Sequence, residues 1–139
     1  MVEHVRSSHA ATDLSRGYLD LREGQLHFVR RPGEGVPIVF LHQTASSSRM
    51  WTKVMTRLHN RRPLWALDTP GFGGSFDPPH DPTMADYAGW LGEAVDQLAG
   101  DGPVHLVGHH TGAAIALAYA AANPARAQSL TLFGPAALT

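Results

Sequence analysis

PVHLVGHHTGAAIALAYAAANP, residues 103–124, changes its pattern halfway along. Val104 to Val107 form a short run of apolar and β-branched residues, as in a buried strand. Gly108 and Gly112 bracket His109, His110 and Thr111. From Thr111 an alanine-rich stretch reads as a helix that Pro124 brings to a stop. A strand that turns into a helix within so few residues strains the backbone at its tip, here His110. Histidine is one of the few residues other than glycine enriched at positive φ, so it can stand there and project its ring into open space. The two glycines let the helix approach the neighbouring strands. The helix opening at Thr111 aims its first amides at the tip, which suits negative charge.

Working outward, GYLDLREGQLHFVRR (residues 17–31) is two strand-like runs joined at Glu23-Gly24, an antiparallel hairpin. VPIVFLH (Val36 to His42) is a continuous apolar run, the pattern of a parallel strand buried on both faces. Met50, Trp51, Val54, Met55 and Leu58 then recur at helical spacing and predict one apolar face. RRPLWALDTPGFGGS holds a strand and a glycine-rich bend, in which Asp68, Gly71 and Gly73 read as structural. FDPPHDP is irregular. Thr83 with Asp86 predicts a capping box opening a helix to about Leu98. SLTLFG (Ser129 to Gly134) is a last strand. The alternation of strand and helix from Val36 onward predicts an α/β fold with a mostly parallel, doubly wound sheet. Residues 1–16 read as a flexible arm and 17–139 as one α/β unit.

Composition narrows the function. Hydrophobic residues make up 43 % and charged residues 17 %, a globular balance. A formal net charge of −1 offers no basic surplus for nucleic acid. With no cysteine, disulfides, thiolate metal sites and a cysteine nucleophile are excluded. The polar N-terminus lacks a secretory signal core, and no apolar run is long enough to span a membrane. The expectation is a cytoplasmic protein without nucleic-acid or membrane partners.

Four segments resemble the α/β-hydrolase fold family in order and spacing. LHQTASSSRMW resembles its H-G-x-x-x-S-x-x-W loop, and LDTPGFGGS its D-x-P-G-x-G-x-S bend. VHLVGHHTGAAIALAYAAANPARAQSL resembles the nucleophile elbow and its helix, and LTLFGPA the strand that follows. The resemblance covers Gly17 to Thr139 and implies the N-terminal part of such a domain, without its cap and C-terminal strands. It implies a cofactor-free hydrolase acting on a small organic ester, lactone or related carbonyl compound. Backbone amides of Thr111 and of Gln43 or Thr44 would form the oxyanion hole, while His42 and His109 would pack and hydrogen-bond behind it.

Two departures stand out. Gln43 replaces the glycine of the H-G pair, and His110 replaces the serine or aspartate nucleophile. His110 could act as nucleophile or base, could polarise a water, or could line the pocket of a silent ligand-binding protein. His42, His109 and His110 could together suggest a metal, but adjacent histidines on a tight turn point apart, and no metal site is expected. Ser46, Ser47 and Ser48 read as turn and cap residues, with Ser48 capping the next helix. Trp51, Trp65 and Tyr119 fit the core. GFGGS lacks the lysine of a phosphate loop. The resemblance implies that the family's charge-relay acid and general-base histidine would lie further along than Thr139; no acidic residue follows Asp101, and the 139-residue chain alone is expected to be inactive. The last strand would leave an apolar edge open to self-association.

Overall fold

The computed structural model describes residues 13–134. Six strands form one sheet: β1 (Ser15–Asp20), β2 (Gln25–Arg31), β3 (Ile38–Leu41), β4 (Leu64–Leu67), β5 (Val104–His109) and β6 (Ala127–Phe133). Three helices accompany them: α1 (Thr52–Arg57), α2 (Met84–Ala99) and α3 (Thr111–Ala122). The spatial order is β1-β2-β4-β3-β5-β6. β1 and β2 form the hairpin at Glu23-Gly24, closed by Leu21 N–H donating to the Gly24 carbonyl at 2.9 Å. β2 meets β4 antiparallel, and the β4-β3-β5-β6 block is parallel. β1 begins at Ser15, inside the segment read as an arm, because Ser15 and Arg16 pair with Arg30 and Val29. Residues 1–12 of that arm lie outside the described residues.

The apolar runs are continuous because both faces of the central strands are covered. Side chains alternate from face to face along a strand, so one run supplies two cores. Val39 and Leu41 of β3, Leu67 of β4 and Leu106 of β5 join Trp90, Leu91 and Val95 of α2 with Ile115 and Tyr119 of α3. On the other face Phe40, Leu64 and Ala66 pack with Trp51 and Met55. The doubly wound α/β expectation matches this sheet.

The segment after β3 departs from its expectation. Ser48–Trp51 winds as a 3-10 turn before α1 begins. The tighter winding changes the angle between successive side chains. Met55 stays buried, while Val54, expected on the apolar face, is exposed. Ser47 rather than Ser48 caps the turn, its Oγ accepting from Arg49 N–H at 3.3 Å. Ser48 is buried instead. Arg31 is also buried. It donates to the carbonyls of Met55, Leu58 and Asn60 and fastens β2 to the end of α1. At α2 the capping box is present: Asp86 N–H donates to Thr83 Oγ1 at 3.1 Å and Thr83 N–H to Asp86 Oδ2 at 2.8 Å.

Candidate active site at the β5–α3 elbow

β3, β4 and β5 run parallel, so their C-terminal ends gather at one edge of the sheet, where ligand crevices of open α/β sheets form. His110 stands at the tip between β5 and α3, with φ +56° and ψ −112°. Its backbone is pinned on both sides. His110 N–H donates to the Phe133 carbonyl at 2.9 Å, and its own carbonyl accepts from Ala113 and Ala114 at 3.0 and 3.2 Å. The imidazole is exposed and makes no hydrogen bond with the described residues. The flanking glycines are required by close approach. A Cβ on Gly108 would lie 2.6 Å from Ala113 N, and one on Gly112 would lie 2.6 Å from the Leu41 carbonyl carbon. α3 therefore rests on the backbone of β3, and the tip is held at the end of that contact.

The loop after β3 supplies the facing wall. Ser46 N–H donates to the Gln43 carbonyl at 3.2 Å, closing a tight turn with Ala45 at φ +65°. Thr44 N–H does not face an open hole. It donates to Thr111 Oγ1 at 2.8 Å, and the two threonine hydroxyls lie 2.5 Å apart. The oxyanion pair expected from the backbone amides of Thr44 and Thr111 thus has a side-chain hydroxyl seated on one member. Gln43 contributes its carbonyl to these contacts.

His42 lies behind the loop and is buried. Thr69 N–H donates to His42 Nε2 at 3.0 Å, so that nitrogen carries the lone pair and Nδ1 carries the proton, donated to the Gln43 carbonyl at 2.7 Å. Burial pushes its pKa below the ordinary value, only partly opposed by the Gln43 carbonyl and the Asp68 charge. Both ring nitrogens are engaged by protein, which leaves neither for a metal. His109 points away from solvent on its Nδ1 side, and that atom has no partner among the described residues.

Asp68 organises the glycine bend. Its carboxylate accepts from Ser48 N–H at 2.6 Å, Gly74 N–H at 2.9 Å and His27 Nδ1 at 2.8 Å. Burial alone would raise its pKa, but the Gly74 and Ser48 amides and the His27 contact outweigh that and hold it below the usual value. Gly73, at φ +54°, passes so close that a Cβ would collide with the Asp68 carboxylate. His27 is the partner that sequence reading missed, since nothing local links residues 41 apart. A small apolar pocket is lined by Leu41, Leu67, Pro70, Tyr87, Trp90 and Ile115. Among the described residues no group of three or more histidine and acidic side chains is placed to hold a metal. No described helix is long and apolar enough to cross a membrane.

Residues 36–139 match the alpha/beta hydrolase fold family, and the chain belongs to that family. It is 36 % identical over 111 residues to a haloalkane dehalogenase of Agrobacterium fabrum, covering 80 % of this chain and 36 % of that protein. The crystal structure of the haloalkane dehalogenase DatA from Agrobacterium tumefaciens C58 superposes with a TM-score of 0.80 and 32 % identity, over 91 % of this chain and 44 % of that one. The Cif epoxide hydrolase from Acinetobacter nosocomialis gives a TM-score of 0.80 and 26 % identity, over 94 % and 42 % respectively. The chain therefore spans less than half the length of these proteins.

Proposed function

We propose that the elbow carries cofactor-free hydrolysis of a small organic ester, lactone or related carbonyl compound, with His110 as the reacting group. The observation that supports this most is the strained backbone at His110, which presents an exposed imidazole beside the first turn of α3. Strain of this kind costs about 1–3 kcal/mol and clusters at functional sites. Relatives whose names are those of hydrolytic enzymes, a dehalogenase and an epoxide hydrolase, point to the same broad class.

In this reading a neutral imidazole nitrogen attacks the acyl carbon. The ester C–O bond breaks, the alcohol leaves with the proton that the ring's other nitrogen gives up, and water cleaves the acyl-imidazole, which releases the acid and returns a proton to the ring. The chain's own residues pin the His110 backbone and set the dipole of α3 against the developing oxyanion. A second reading, a silent ligand-binding protein, is favoured by one observation: the Thr44 amide is already satisfied by Thr111.

The complete translation product containing these residues, assayed with p-nitrophenyl acetate and its thionoester analogue, separates the two. If His110 reacts, His110→Ala lowers turnover by at least about 10²–10⁴-fold, since losing a nucleophile costs no less than losing an acid–base group, and His110→Ser also lowers native activity. Esterase activity that arises only in His110→Ser would overturn the catalytic reading and favour the silent one.

A further inference from the structure

The contact between Thr44 and Thr111 does more than close a gap. Thr111 Oγ1 accepts from Thr44 N–H at 2.8 Å and lies 2.5 Å from Thr44 Oγ1. Two hydroxyls own two protons, and their mutual hydrogen bond uses one of them. Whichever threonine donates, one O–H remains and points away from the pair. The Thr44 amide feeds the same oxygen, and hydrogen bonds in such a chain polarise one another, making the remaining proton a better donor. Thr44 is exposed and Thr111 half-buried, so that proton is reachable from solvent. Thr111 is also the residue next to His110, on the first turn of α3.

We propose that Thr44 and Thr111 act as one polarised hydroxyl donor that meets the substrate's oxygen beside His110, in place of the second backbone amide. This rests on the hydrolytic reading of His110 and makes the site selective for substrates whose reacting group carries a good hydrogen-bond acceptor. The two threonines are not equivalent. Thr44→Val leaves Thr111 with its own proton and with the Thr44 amide still polarising its oxygen. Thr111→Val removes the shared oxygen that the Thr44 amide polarises and leaves Thr44 with a lone, unpolarised O–H.

The test compares an oxygen ester with its sulfur counterpart, p-nitrophenyl acetate with p-nitrophenyl thionoacetate, on the complete protein. Thiocarbonyl sulfur is a weak acceptor, so a lost O–H donor is felt chiefly by the oxygen ester. Thr111→Val is expected to lower kcat for the oxygen ester by about 10²-fold, the effect of deleting one oxyanion donor. The oxygen-to-sulfur rate ratio should fall with it, with KM little changed. Thr44→Val should fall less, and Thr111→Ser should restore both rate and ratio. A Thr111→Val protein that loses rate equally on both esters has lost only positioning, and that result overturns the proposal. So does an unchanged rate on the oxygen ester in a protein whose turnover depends on His110. Turnover indifferent to His110→Ala would instead overturn the hydrolytic reading itself and take this inference with it.

Discussion

His110 holds a conformation that only glycine adopts without cost, so its side chain and its backbone can be separated by substitution. His110→Gly is expected to raise stability by about 1 kcal/mol through relief of that strain, part of the gain being offset by glycine's freedom in the unfolded chain. His110→Ala keeps the Cβ and should gain nothing. Urea midpoints of the three proteins would decide it, and a lower midpoint for His110→Gly would contradict the strain. Two buried groups set a pH dependence. His42 has its pKa pushed down by burial, so as pH falls below about 6.5 the unfolded chain takes up a proton that the fold refuses, and stability drops. His105, lowered by burial and then by Arg62, adds to the same window. Asp68 is also lowered, so its contribution is present above its unfolded value of about 3.9 and is lost as pH falls through its value in the fold. Urea unfolding at a series of pH values should show full stability above about pH 7 and two successive losses on acidification. His42→Gln should shrink the first loss and leave the second, and a flat profile between pH 7 and pH 5 would contradict the assignment.

Elements are joined here by contacts too close for a Cβ. Gly112 lies on the end of β3, and Gly112→Ala is expected to destabilise by about 3 kcal/mol, at the upper end of overpacking, by lifting α3 off the sheet. Thr83→Ala at the start of α2 removes only a cap and should cost about 1 kcal/mol. Thermal unfolding of the two variants would compare them, and equal shifts would argue against the close contact. The same contrast explains what the sequence made legible. The strands showed as unbroken apolar runs because both faces are covered, and the elbow showed because two glycines at fixed spacing leave few other folds. The segment after β3 was misread because its apolar spacing assumes one helical pitch. The 3-10 turn over Ser48–Trp51 breaks that assumption and turns Val54 outward. At the site, His110 and its glycines could be read locally. The resemblance set Thr44 beside Thr111, but their side-chain hydrogen bonds could not be read, because the residues are 67 apart and meet only once β3 and β5 are paired. The buried Arg31 was hidden for the same reason: its carbonyl partners Met55, Leu58 and Asn60 lie in and just after α1, far along the chain, and a charged side chain in sequence reads as exposed.

At the scale of the whole molecule, the sheet is asymmetric. β1 ends it on one side as part of a hairpin, with Tyr18 as its exposed aromatic. On the other side β6 pairs with β5 through one edge, and no described strand occupies the other. Leu130 is 38 % exposed and Phe133 48 %, on a strand whose middle residues are all open. An unpaired strand edge with apolar side chains is a template for another chain. We propose that the isolated 139-residue chain associates through β6 of a second copy. Sedimentation velocity should show a weight-average mass that rises with concentration, and the double variant Leu130→Lys, Phe133→Lys should remain a monomer, because charge on an edge strand opposes pairing. Gain of mass in the parent that the lysine variant retains would place the contact elsewhere. A parent that stays monomeric at the highest concentration reached would mean that the edge does not pair at all.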